Sequence, residues 1–212
     1  METHADQLSE LMQRYAAGED GVFDELYRSM APRLYRFCLR LASGRAEADD
    51  LFQDSMLRLH RARATYLGGS NALHWAFAIV RSVHLDRLRY RRRRAEDLGF
   101  ANDAADNASL PVDGRNSPEA ELLARDLMAI VTRELARMSE KNRAAYVLLK
   151  EEGLSVKAAA DILGTTAIVV RQRAHRAYEQ LRAAVGVAGW GEKADDRAWN
   201  TVPVRVRAGA AS

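Results

Sequence analysis

Between Arg81 and Arg94 the sequence places seven arginines against one acid, Asp86, a local charge of +6. Guanidinium groups at that density do one kind of chemistry: they hold the phosphates of a polyanion with charge-assisted, fork-shaped donors. A second set stands at Arg171, Gln172, His175 and Arg176. Arg and Gln there are the side chain types that make paired hydrogen bonds to guanine and adenine edges. A third set is acidic. Asp50, Gln53 and Asp54 follow the i, i+3, i+4 spacing that puts them on one polar helix face, beside Glu47 and Asp49. Acids in a first helical turn suit the helix dipole, and the same face suits a basic partner.

Bond-making chemistry is not expected, and no catalytic, metal or cofactor site is assigned. There is no G-x-x-x-x-G-K-S/T phosphate loop and no G-x-G-x-x-G. His4, His60, His74, His84 and His175 are scattered, with no H-E-x-x-H and no Cys/His cluster. No nucleophile stands beside a base. The single cysteine, Cys38, falls among Leu34, Phe37 and Leu41 at helical spacing, which predicts a small core residue rather than a reactive thiol.

The elements that must position these groups are helices, and the fold class expected is all-α. Apolar residues recur every three or four positions, and glycine and proline cluster at few points. Leu8, Leu11, Met12 and Tyr15 predict a short first helix. Phe23 to Leu41 predicts a longer one, with Pro32 a candidate kink. Ala46–Ala64 predicts a third, its apolar face formed by Leu51, Phe52, Ser55, Met56 and Leu59. The segment Thr65–Asn71, TYLGGSN, reads as a loop, and Asn71–Arg94 as a helix apolar in its first half and cationic in its second.

From Glu96 to Asp126 the chain carries eight acids and two arginines, and the periodicity collapses. Such a composition predicts a flexible acidic linker. Helical pattern returns after Ser117–Pro118, through Leu122, Leu127, Ile130 and Leu135, and again from Ser139. Ser155 then N-caps a short helix with Ala159, Ala160, Ile162 and Leu163 inside. Gly164 turns the chain, and Thr165 or Thr166 caps a longer helix running to about Arg182. At about 100° per residue, Val170, Ala174, Ala177 and Leu181 form one narrow stripe, with Ile168, Gln172, His175, Arg176 and Glu179 opposite. A short helix, a glycine turn and a longer basic helix make the pattern of a helix-turn-helix.

The chain has 212 residues, a net charge of +3 and a pI near 9.2. Neither the first twenty residues nor any later run offers a signal-peptide core or a membrane-length apolar stretch, so a cytoplasmic protein with no membrane insertion is expected. The boundaries expected are 1–94 for the first domain, 95–120 for the linker, 121–185 for the second domain and 186–212 for a tail.

Two basic helical modules in this order, the first with an acidic face, resemble the bacterial RNA polymerase sigma factors of the extracytoplasmic-function group. Ala48–Ala62, ADDLFQDSMLRLHRA, resembles that family's polymerase-clamp-binding helix. Trp75–Arg94, WAFAIVRSVHLDRLRYRRRR, resembles its promoter-melting helix, and Glu152–Arg182 its helix-turn-helix for the minus-thirty-five element. The resemblance implies that the chain binds core RNA polymerase and promoter DNA, and that an anti-sigma factor is a further partner. It assigns Asp49, Asp50, Gln53 and Asp54 to the polymerase. Tyr66, Ser70, Asn71, Trp75, Arg81, Ser82, Arg87 and Arg89 go to the minus-ten strand, and Thr166, Arg171, Gln172, His175 and Arg176 to the minus-thirty-five element. It also implies that the acidic linker threads a basic polymerase channel, plain solubility being the other reading of its composition. Ser82 stands where the family commonly has Asn, Ala158 and Ala159 where it has Glu-Ile, and Val169 where it has Thr. Two rival readings use the same residues: a helix-turn-helix regulator acting without polymerase docking, and a helical polymerase-binding antagonist. The first predicts duplex binding without residues 1–94; the second predicts no salt-dependent DNA affinity in any complex.

Overall fold

The computed structural model describes residues 4–98 and 118–187. Among these residues there is no β-strand. The chain divides into two compact units, Met1–Ala108 and Ser109–Ser212. The expected flexible segment lies mostly within 99–117, and the tail with Trp190 and Trp199 within 188–212; both fall outside the described residues.

Unit 1 is built from α1 (His4–Ala16), α2 (Phe23–Leu41), α3 (Arg45–Ala62) and α4 (Ala72–Leu98), with short 3-10 turns at Asp20–Val22 and Arg63–Thr65. Each helix turns one apolar stripe inward, and burial of such stripes, rather than helix propensity, supplies most of the stability. Met12 and Tyr15 of α1, Leu26, Met30, Leu34, Phe37 and Leu41 of α2, Leu51 and Leu59 of α3 and Phe77 and Val80 of α4 are all buried. Phe37 and Phe77 meet edge to face, with ring centroids 5.2 Å apart. Pro32 sits inside α2, which is continuous through it, and the residue is exposed rather than part of the buried stripe. Ser55 belongs to the buried face because its hydroxyl donates to the Leu51 carbonyl at 2.6 Å, so no polar group is stranded.

Cys38 is buried in this core, where loss of solvation pushes its thiol from about 9 up to about 12. Below about pH 9 the thiol is neutral folded or unfolded, so it adds no pH dependence. From about 9 to about 12 only the unfolded chain gives up the proton, and stability falls as pH rises. Alkylation of the native chain at pH 8 is therefore expected to run at least about 100-fold slower than in denaturant, as the thiolate is both scarce and covered. Equal rates would contradict this placement.

Unit 2 holds α5 (Pro118–Arg137), α6 (Glu140–Tyr146), a π-helical turn over Val147–Glu151, α7 (Val156–Leu163) and α8 (Ala167–Val187). Leu135, Met138, Ala177 and Leu181 form one buried cluster, joined by Val131 and Tyr146. The Ser139 hydroxyl accepts the Asn142 N–H, and the Ser155 hydroxyl accepts the Ala158 N–H at 3.1 Å, so both serines cap as their positions predict. Gly164 has φ +55 and closes α7 in the left-handed region, with its N–H returned to the helix. Open space surrounds it, so a side chain there meets strain and no clash. Gly164→Ala is expected to cost about 1–2 kcal/mol, read as a lowered urea midpoint with unchanged slope.

Candidate functional site

The first site is the paired surface of α3 and α4. Leu51, Ser55 and Leu59 anchor one side of α3, which leaves Asp50, Gln53 and Asp54 exposed together on the other. Asp49 is turned differently: it accepts the Tyr35 hydroxyl at 2.5 Å, and that bond raises the tyrosine's pKa. Asp49 is thus tied to α2, while the other three form the open ridge.

Helices α3 and α4 are cross-linked by charge. Arg87 reaches Asp54 through Nε at 3.0 Å and through Nη2. Arg91 pairs with Glu47 at 2.5 Å. Arg58 of α3 pairs with Asp86 of α4 at 2.7 Å, and Arg89 pairs with the same acid at 2.9 Å. Burial opposes ionisation of Glu47, but the Ser43 N–H at 2.8 Å and Arg91 outweigh it and hold the carboxyl below its usual range. The Arg58 hydrogen bond does the same for Asp86. Part of the arginine run therefore serves the fold. Arg93 and Arg94 are exposed and make no ion pair among the described residues, so their guanidinium donors are open to an external anion.

The loop between these helices is ordered by its own polar atoms. The Tyr66 ring is buried edge-to-face against Trp75 at 5.4 Å, and its hydroxyl donates to the Ser70 carbonyl. The Ser70 hydroxyl donates to the Leu67 carbonyl at 2.6 Å. Asn71 N-caps α4, its side-chain oxygen accepting the His74 N–H at 3.0 Å. Gly69 has φ +84, a turn that an L-residue takes only with strain. Leu67, Gly68, Gly69 and Ser70 are exposed, while Trp75, Arg81 and Ser82 are partly buried. The residues expected at the minus-ten strand thus split into those that shape the loop and those left open.

The second site is the outer face of α8. Val170, Ala174 and Ala177 are fully buried and Leu181 nearly so, the stripe the spacing predicts. Arg171, Gln172, His175 and Arg176 are exposed, and Arg173 is partly covered. Thr166 starts the helix: its hydroxyl accepts the Val169 N–H at 3.4 Å and its carbonyl accepts the Val170 N–H at 3.0 Å. Ile168, at 64% exposure, adds an apolar contact near the N-terminal end, suited to a thymine methyl.

Among the described residues no group of three or more His, Cys, Asp or Glu could hold a metal ion, and no helix is long and apolar enough to cross a membrane.

The sequence reading did not find the interhelical ion pairs. The pairs run in opposite order along the chain, Glu47 with Arg91 and Asp54 with Arg87, as in two antiparallel helices, but the spacings of seven and four differ, so no residue pattern announces them. Nor did it give α1 any role beyond packing. Ser9 of α1 accepts the Ala72 N–H at 3.3 Å, a contact no local pattern announces.

Two family profiles match these same units. Sigma-70 region 2 covers residues 26–94, and Sigma-70 region 4 covers 128–181. Among curated relatives, the RNA polymerase sigma factor CarQ of Myxococcus xanthus is 31% identical over 175 residues, 82% of this chain and 95% of that protein. The ECF RNA polymerase sigma factor SigM of Mycobacterium tuberculosis is 30% identical over 183 residues, 86% of this chain and 87% of that one. Among solved structures, the Bartonella quintana sigma factor RpoE, in complex with the anti-sigma factor NepR, is 24% identical with a TM-score of 0.63. The match covers 78% of this chain and 97% of that one. CnrH, solved with the cytosolic domain of CnrY, is 21% identical with a TM-score of 0.61, over 84% of this chain and 97% of that one. These two show the fold. A region 2 unit followed by a region 4 unit defines a small two-domain sigma factor. The chain belongs to the RNA polymerase sigma factors of the extracytoplasmic-function group.

Proposed function

We propose that this sigma factor docks on core RNA polymerase through the exposed Asp50–Gln53–Asp54 ridge, with Asp49 behind it, and directs promoter-specific initiation with both units on one promoter. The observation that carries the reading is the pairing, on one rigid helix pair, of an acidic ridge with a cationic helix and an open glycine loop. Unit 1 holds the melted minus-ten strand: the loop from Tyr66 to Asn71 admits a base, Trp75 and Ser82 border it, and Arg81, Arg87 and Arg89 lie along the phosphate path. Unit 2 enters the major groove of the minus-thirty-five element with the N-terminal half of α8. Arg171 and Thr166 serve the backbone there, and Gln172, His175 and Arg176 the base edges.

The chain itself catalyses no step; RNA synthesis belongs to the polymerase, and the site of action is the cytoplasm. The domain limits are those of residues 1–94 and 121–185, joined by the acidic 95–120 stretch. An anti-sigma factor is the expected inhibitory partner, supported by the complex of the sigma factor RpoE with the anti-sigma factor NepR, whose sigma chain shares this fold. The test is transcription in vitro with core polymerase and a promoter library. The reading expects initiation from a narrow family of two-element promoters. A product set no different from core polymerase alone would refute it.

A further inference from the structure

Helix α1 lies before the segment that the region 2 profile covers, yet it reaches the DNA-facing loop of unit 1 at two points. The Ser9 hydroxyl accepts the N–H of Ala72, the first residue of α4, and donates to the Ala5 carbonyl at 2.9 Å. One turn later, the Gln13 amide nitrogen lies 3.4 Å from the position a Cβ on Gly68 would take. Gln13 is exposed, so its amide is available at the rim of the loop.

What the loop leaves open there has a definite chemistry. The Tyr66 and Ser70 hydroxyls donate to the loop's own backbone, and the Asn71 side-chain oxygen is taken up by the α4 cap. The open parts include Leu67, 76% exposed, the bare peptide units of Gly68 and Gly69, and the Gln13 amide. An apolar side chain and side-chain-free backbone offer a surface for a flat ring, and one carboxamide offers an adjacent donor and acceptor for its edge. A nucleobase extruded from a strand that lies along the cationic α4 has that pattern.

We propose that Gln13 reads the base held at the 66–71 loop, which makes α1 part of the promoter-reading surface. The inference rests on the sigma reading of the chain and names a specificity residue within it. Adenine and cytosine are the bases matched, since each presents an amino donor beside a ring-nitrogen acceptor and a glutamine amide can take one hydrogen bond and give the other.

The test uses holoenzyme assembled from the full chain, transcribing a library randomised through the minus-ten element, with the products sequenced. Gln13→Ala is expected to weaken base preference at one minus-ten position by about tenfold and to leave the other positions and the upstream element unchanged. Gln13→Glu keeps the shape and removes the donor. It is expected to move preference at that same position toward guanine, whose N1–H and amino group present two donors to a carboxylate. Identical profiles for wild type and both variants would overturn the proposal. So would an equal loss at every position accompanied by a lower melting temperature, which would make Gln13 a brace for the loop. Wild-type holoenzyme that fails to initiate at all would instead overturn the sigma reading beneath it.

Discussion

Replacing Asp50, Gln53 and Asp54 together with alanine is expected to weaken binding to core RNA polymerase by about 100-fold or more, with only a small fall in the unfolding midpoint, since the partly exposed Asp54–Arg87 pair that is lost is worth about 1 kcal/mol or less. All three side chains are exposed, and the core contacts of α3 come from Leu51, Ser55 and Leu59 on its other side. Truncating a charge whose partner stays buried in an interface costs about 2–5 kcal/mol, and two such carboxylates carry the expected loss. Of the single changes, Asp54→Ala is expected to exceed Asp50→Ala. It removes an acid and also releases Arg87, whose guanidinium is bonded to that carboxylate, so the ridge gains an uncompensated cation. The measurement is a fluorescence titration of labelled chain with core polymerase at two salt concentrations. A dissociation constant unmoved by the triple change would remove α3 from the docking surface.

Gln172→Ala with Arg176→Ala is expected to lower minus-thirty-five recognition by about 100-fold, since each paired base contact discriminates by about 1–3 kcal/mol. The loss should appear as relaxed preference at particular base pairs, because these side chains stand on the solvent face opposite Val170, Ala174, Ala177 and Leu181. Arg171→Ala makes the contrasting case: affinity should fall about equally on every sequence, with the salt slope reduced by about one. Holoenzyme transcription from templates altered one base pair at a time separates the two patterns. Uniform weakening by the double variant would mean that α8 only positions the unit.

Unit 2 was more legible in the sequence than unit 1, for a physical reason. A helix-turn-helix is assembled from local signals. Ser155 and Thr166 cap within three residues, Gly164 turns within one, and the stripe from Val170 to Leu181 follows from helical period alone. The helices of unit 1 were equally plain, Pro32 included. Its site was less so, because partners there lie far apart in the chain. Periodicity shows that Asp54 faces outward and that Arg87 is cationic; it does not show that thirty-three positions close into an ion pair. Tyr66 looks like an open loop residue by its neighbours Gly68 and Gly69, yet its ring packs on Trp75 and the residue is buried. The π-helical turn after Tyr146 and the extension of α4 past Arg94 to Leu98 carry no residue signature at all.

This chain is expected to open promoter DNA only as part of the polymerase. Permanganate reactivity of unpaired thymines in a minus-ten element drawn from the library tests it directly, with the chain alone, core polymerase alone and both together. Reactive thymines are expected only with both, and their loss is expected when the Asp50, Gln53 and Asp54 ridge is replaced. Firm, specific duplex binding by the chain alone, with no strand opening when polymerase is added, would contradict it.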